Sequence, residues 1–397
     1  MQRAADIGVI DARGATVIES RGATTTDVRD ATATEAYGAT VNDARGAEAT
    51  EARGVAATEA RGAEALTARG VAASRPATFA LVCACVLAAA AALAGQAPLG
   101  LSVATVFLFA GPHNWVELRY FITRLPARLG RSRNFFAVAA VGVLTLTASY
   151  GALALVANSS LWGGDEWYAA SAVWNSLLIA WVAALVVMRG RLSPRRDWAW
   201  ALPAGSALIA LNWLAPQMLG LSIVYLHPLV ALWFLDRQLK RTRREWRRAY
   251  HAALALLPLA LGLLWWRLSS APPLPGDDAI TLRIVQHAGA GILPNVSSHL
   301  LVSTHVFLET LHYGVWLVAI PLAAGTWFAP WRFRPIPLVR REVGWPRTIR
   351  TLLVAGAAAV VALWLCFLAD YPTTRDVYFT VAMAHVLAEV PFLLRMI

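Results

Sequence analysis

Beyond Arg75 the chain is a succession of apolar runs about 20 residues long, and that single feature decides what it can fold into. A bilayer core about 30 Å thick offers no water to backbone N–H and C=O groups, so segments of this kind must satisfy themselves as α-helices. Ten such runs are read, near residues 78–96, 99–121, 135–157, 167–188, 198–215, 217–235, 251–270, 297–325, 350–369 and 377–395. The expected fold is all-α, a polytopic transmembrane helical bundle of about ten spans occupying residues 77–397. A content of 58% hydrophobic residues with 17 Trp agrees with it.

Residues 1–76 have a different character. Arg13, Arg21, Arg29, Arg45, Arg53, Arg61 and Arg69 recur every eight residues, with Tyr37 in the one vacant slot. An eight-residue period drifts by about 80° per repeat around a 3.6-residue helix, so no face stays apolar. Gly follows Arg or Tyr in most copies and opposes helix. Through Arg75 the segment carries nine Arg, eleven Asp or Glu, and neither Trp nor Phe. It cannot bury enough surface to offset chain entropy and is expected to be a disordered, cytosolic, low-complexity repeat tail.

The net charge of +11 does not indicate nucleic acid. Outside the tail, the basic residues concentrate in short connections: "TRLPARLGRSR", "RGRLSPRR", "DRQLKRTRREWRR" and "WRFRPIPLVRREVGWPRTIR". Between them lie Arg-poor connections, "GQAPLG", "NSSLWGGDE", "APQ" and "DYPTTRD", and the two kinds alternate along the chain. The positive-inside rule then places both termini in the cytoplasm, with the protein multi-pass in the cell membrane. The connection from Pro272 to Val296, with "PPLPGDD", has room for a re-entrant piece. Cys83, Cys85 and Cys366 lie in apolar runs, and a Cys-x-Cys spacing puts the first two on different sides of a helix, against a metal or disulfide role.

Alternation has a useful consequence. Even-numbered spans all run from outside to inside, and the five intramembrane His all fall on them: His113, His227, His305, His312 and His385. Counted from the outer ends at 1.5 Å per residue they lie roughly 12–23 Å deep, in one band about the membrane middle. Three are followed four residues later by Glu: His113 by Glu117, His305 by Glu309, His385 by Glu389. That spacing puts each Glu on the face of its own His, one turn nearer the cytoplasm. His227 has no such Glu; Asp236 lies farther along.

Ionisable groups are expensive inside a membrane and mark functional sites. Neutral imidazoles from facing helices suit a metal ion, Fe(II) first, with Zn or Cu as alternatives. Carboxylates beside them orient the rings. The expected metal site is therefore His113, His227, His305, His312 and His385, with four coordinating and one peripheral or serving a second ion, supported by Glu117, Glu309 and Glu389. His305 and His312 stand two turns apart, about 10.5 Å along the axis, a long reach for one ion. Gly111-Pro112 breaks the second span just before His113. His251, His287 and His299 read as solvated or interfacial, the Trp residues as interface belts and packing, and Asn114, Asn175 and Asn212 as contacts between helices.

The windows "GPHNWVE", "YLHPLVALWFLD", "HVFLETLHYGVW" and "YFTVAMAHVLAEVPFLL" resemble, in order and placement, the Brp/Blh-type membrane β-carotene dioxygenases. The resemblance falls within residues 77–397 and implies a ferrous iron held by His residues on several transmembrane helices. There O₂ would cleave the central double bond of β-carotene to retinal. It maps most directly onto His113, His227, His312 and His385. In the family's late motif two His stand four apart, whereas His305 and His312 stand seven apart with Glu309 between them. The His-x-x-x-His and His-x-x-His-His boxes of membrane desaturases are missing.

These readings lead to an integral-membrane, iron-dependent oxygenase whose partners are a lipophilic carotenoid- or isoprenoid-like substrate, O₂ and membrane lipid, with no nucleic acid. Two other classes compete. A transporter or channel would use the same His-Glu pairs for proton or cation transfer, and a scaffold would use them only to join helices.

Overall fold

The computed structural model describes residues 76–126, 129–157, 164–192, 198–325, 336–337 and 345–397. The octapeptide repeat, and the disorder expected of it, lie outside the described residues. What is described is helical: α1 (Pro76–Gln96), α2 (Pro98–Arg124), α3 (Arg133–Ala157), α4 (Gly164–Arg191), α5 (Ala201–Leu214), α6 (Pro216–Thr242), α7 (Arg247–Leu254), α8 (Leu256–Leu268), α9 (Ala279–His287), α10 (Ser298–Gly314), α11 (Ile320–Ala324), α12 (Trp345–Ala369) and α13 (Tyr371–Met396). A π-helical turn, Val315–Ala319, joins α10 to α11.

Among the described residues nine helical segments are long and apolar enough to cross a membrane. The chain is a multi-pass membrane protein. Of the ten expected spans, the one at 198–215 is the exception: α5 has only 14 residues, about 21 Å of rise against a core of about 30 Å. It leans on α4 through buried amides. The Asn175 side-chain amide donates to Asn212 Oδ1 and to the Pro216 carbonyl, both at 2.8 Å, and Asn212 donates to the Ala172 carbonyl at 2.8 Å. In lipid such bonds hold helices where the hydrophobic effect cannot.

The bundle is apolar outside as well as inside. Leu155, Trp266 and Leu368 are each more than 70% exposed, on surfaces that face lipid. The most apolar window of α12 has 11% of its residues buried, whereas that of α10 has 56%. α10 is thus the central helix, buried without interruption from Leu300 to Glu309.

Residue numbers rise together along α2, α6, α10 and α13, so these four run parallel. Between α2 and α13, His113 meets His385, and further along Phe121 stacks on Phe392 at 4.3 Å. Between α6 and α10, Tyr225 meets His305, then His227 meets His312, then Phe234 meets Trp316. Between α2 and α10, His113 meets His312, then Tyr120 meets Trp316.

Gly111-Pro112 does not break α2. The helix continues through Pro112, and Gly111 serves packing, since a Cβ there would meet Val360 of α12 at 3.1 Å. The same seam is closed by indoles that cap carbonyls: Trp364 Nε1 donates to Phe107 and Trp115 Nε1 to Leu353, both at 2.8 Å. α13 begins at Tyr371, six residues ahead of the expected 377, because Asp370 caps it through the Thr373 N–H and Pro372 sits in its first turn. Asp278 caps α9 in the same way through Thr281. Hydrogen bonds from these threonines hold both aspartic carboxyls below the usual carboxylate range.

The α3–α4 seam yields a packing test. Trp181 lies across Gly142, with Nε1 donating to the Val138 carbonyl at 3.1 Å, and a Cβ at position 142 would come 1.9 Å from that nitrogen. A rigid indole cannot yield cheaply, so Gly142→Ala is expected to destabilise by about 1–3 kcal/mol. Thermal unfolding in detergent should show a lowered midpoint that is largely restored by adding Trp181→Leu; an unchanged midpoint would refute the close approach.

Candidate metal centre

Four helices bring one imidazole each into a single cluster. His113 (α2), His312 (α10), His227 (α6) and His385 (α13) form a closed circuit, with ring centroids 5.3, 4.7, 5.1 and 5.1 Å apart in turn. All four helices carry a local irregularity close by. Pro112 precedes His113, Pro228 follows His227, the π-helical turn starts three residues after His312, and Pro391 follows Glu389 by two. Prolines and π-turns free or redirect backbone groups, and in a membrane they are tolerated where the backbone faces protein or a cavity.

Two rings have their tautomer fixed by an acceptor. His113 Nδ1–H donates to the Phe109 carbonyl at 3.1 Å, which leaves Nε2 with an inward lone pair. His227 Nδ1–H donates to Glu389 Oε2 at 3.1 Å, and its Nε2 faces His385 Nε2 at 3.2 Å. Either His385 donates a proton across that gap, or a cation stands between two lone pairs. Metal–nitrogen bonds of about 2.0–2.1 Å separate two adjacent ligands of one ion by about 3.0–3.4 Å, so the observed spacing fits a shared cation.

Glu117 joins the rings directly. One ligand atom each from His113, Glu117, His312 and His385 fall within 4.8 Å of one another. Most of the group is buried, with His113 and Glu117 1% exposed, Glu389 2% and His312 3%, while His227 and His385 are half-buried where they line a cavity. Seven buried polar atoms here have no hydrogen-bond partner among the described residues: His113 Nε2, both Glu117 oxygens, both His312 nitrogens, His385 Nδ1 and Glu389 Oε1. Orphaned groups cost about 1–3 kcal/mol each. A cation relieves several at once, and two carboxylates match the charge of one divalent ion held by neutral imidazoles. The group can hold a metal.

The expected site is corrected in three respects. His305 does not join the circuit; it lies against Tyr225 and His287, at 6.1 and 5.1 Å between centroids, as the two-turn rise between it and His312 requires. Glu309 does not orient a ring of the cluster but accepts from Tyr313 Oη at 2.8 Å. Glu389 serves His227 on the neighbouring helix rather than its own His385, so the partner that α6 lacks in sequence comes from α13. Asp236 is engaged elsewhere, by both guanidinium arms of Arg247 and by His251.

A cavity of about 460 Å³ reaches the cluster, within the range of small-molecule sites. Its walls include the first turns of α4 and α6 (Trp167, Ser171, Pro216, Gly220), the last turns of α3 (Tyr150, Leu153) and Met383 of α13; His113, His227, His312 and His385 lie at its floor. His287, expected in solvent or at the interface, also lines it. Two further residues beside the cavity escaped the sequence reading. Tyr313 directly follows His312 and packs on His113 at 4.6 Å. Arg375, assigned to an outer connection, is 3% exposed within the first turns of α13; the Asp-Tyr-Pro cap was the signal that would have placed it in a helix.

The two carboxylates have separable roles. Removing the Glu389 acceptor with Glu389→Leu is expected to weaken Zn(II) binding about 10- to 100-fold in chelator competition, because His227 loses its orienting partner. Glu309→Gln, which changes a side chain bonded to Tyr313 rather than to any of the four rings, should leave the constant within about twofold. Equal effects of both changes would contradict the cross-helix pairing.

No protein-family model, no curated protein and no solved structure matches this chain; its function is read from the residues of this centre.

Proposed function

We propose that this protein is an integral-membrane, iron-dependent oxygenase that acts on a carotenoid- or isoprenoid-like molecule. The observation that carries the reading is the closed circuit of four imidazoles at the floor of a mostly apolar cavity set between membrane-spanning helices. His113, His227, His312 and His385 would hold ferrous iron, with Glu117 beside them as an anionic donor. When bound, such an ion supplies activation of O₂ for attack on a carbon–carbon double bond.

The chain's own residues prepare that chemistry. Phe109 and Glu389 fix the tautomers of His113 and His227, so Nε2 of each presents a lone pair. The Trp167, Trp174, Leu153 and Met383 walls suit an apolar chain that enters from lipid, and they keep bulk water away from the rings. Tyr313 and Glu309, hydrogen-bonded to each other at the cavity wall, keep a proton near His113. The resemblance to the Brp/Blh-type enzymes supports the reading, since it falls most directly on the same four histidines. From the distribution of Arg among the connections, both termini lie in the cytoplasm and the cavity opens in the outer half of the cell membrane.

Metal analysis and product analysis together test this. Protein purified without added metal should carry about one iron per chain, and His113→Ala and His385→Ala should lose most of it, as expected when one of four imidazole ligands is removed. In cells that make β-carotene, the wild type should bleach the pigment and release an aldehyde only in air. Equally low metal in all three preparations, or bleaching that persists in the variants, would overturn the proposal. Cation flux in proteoliposomes with no product would assign the cluster to transport instead.

A further inference from the structure

The cavity has a second polar pole that the four-histidine centre does not use. His305 on α10 and His287 at the end of α9 face each other with ring centroids 5.1 Å apart, and both line the cavity. Neither ring has a hydrogen-bond partner among the described residues, although His305 is only 5% exposed. A buried imidazole left without a partner is costly unless something else supplies one.

The placement of this pair is over-determined. Two residues past the end of α9 stands Gly289, whose φ of +92° suits glycine and where a Cβ would come 2.5 Å from Leu221. Tyr225 Oη shares its proton between the carbonyls of Ala288 and Leu301 at 2.9 and 3.1 Å, which ties the end of α9 to α6 and α10. Phe379 packs on His287 at 4.4 Å and carries the Arg375 guanidinium on its ring at 4.6 Å, so an aromatic ring stands between that cation and His287. His305 and His312 share α10 and are separated by about 10.5 Å of rise.

We propose that His287 and His305 bind the hydroxyl end of an elongated apolar molecule whose chain runs down the cavity to the four-histidine floor. Two neutral imidazoles offer one acceptor and one donor, which matches the donor and acceptor of a hydroxyl group. Arg375 behind Phe379 would favour a carboxylate only if it reached the ligand directly. Between the two poles Ile223, Val224 and Ala382 supply an apolar wall that suits a hydrocarbon chain, while Glu309 and Tyr313, on the α10 side, are hydrogen-bonded to each other. This rests on the reading of the cavity as a substrate site and names the class of substrate: a lipophilic alcohol, held by one end.

The test uses full-length protein in nanodiscs under nitrogen, with three polyene probes of equal length: retinol, its deoxygenated hydrocarbon axerophtene, and retinoic acid. Binding is followed by energy transfer from tryptophan, corrected against empty nanodiscs. The wild type should bind retinol about tenfold more tightly than axerophtene, the discrimination expected of a site that hydrogen-bonds a hydroxyl. His305→Leu and, independently, His287→Leu should bring that ratio close to one with axerophtene affinity unchanged, while retained metal shows that both variants are folded. A ratio unaffected by either change would overturn the proposal while leaving the oxygenase reading intact. Tightest binding of retinoic acid would also overturn it and assign the pole to anions through Arg375. Failure of the wild type to bind any of the three would remove the substrate cavity itself, and both readings with it.

Discussion

The interaction on which this structure depends is the mutual approach of four imidazoles and two carboxylates at the floor of a mostly apolar cavity. His113, Glu117, His312 and Glu389 are each at most 3% exposed, and seven polar atoms of the group lack a protein partner. In an aqueous enzyme a few such atoms could be relieved by local opening to solvent. Here the approach is a mostly apolar cavity between candidate spanning helices, which offers these atoms little to bond, so something bound among them reconciles the group best. A divalent cation does this with the fewest assumptions, because it converts mutual repulsion into coordination and matches the two carboxylates in charge.

Parallel direction makes the meeting possible. Four helices that run the same way can each present a His at mid-length with their following turns in register, which is why His–His contacts give way to aromatic contacts one to two turns on: Phe121 with Phe392, Phe234 and Tyr120 with Trp316. The aromatic layer seals the floor beneath the rings. Chain reversal between them falls to the remaining helices, of which α5, with only 14 residues, is tied to α4 through Asn175 and Asn212.

How much of this was legible in the sequence follows from which interactions are local. Length and hydropathy are local, so the helical class and nearly all spans could be read. Depth is almost local, since it needs only the end of a span and a rise per residue, and it placed the histidines in one band. Partner choice is not local. An i, i+4 spacing says that Glu389 shares a face with His385, but not that α6 passes close enough for His227 to take the carboxylate. The same blindness assigned Glu309 to His305, when Tyr313 one turn on takes it. His287 was misread for a related reason: its connection looks polar, and only the positive-φ turn at Gly289 and the Tyr225 tether fold it back onto the cavity.

The central helix then acquires a meaning that neither pole has alone. α10 carries His305 and His312 on one rigid element, buried throughout Leu300–Glu309, so the separation of the two poles is set by the rise of a helix rather than by loops. Its regular hydrogen bonding gives way only after His312, at the π-helical turn Val315–Ala319. A helix that is stiff between two sites and irregular just beyond the second fixes their spacing and allows the second ring to adjust to its neighbours. The fall of α9 onto its first half and the convergence of α2, α6 and α13 near its C-terminal end are therefore two uses of one ruler. An elongated ligand that spans them would be positioned by length, which a mostly apolar cavity cannot achieve by surface chemistry alone.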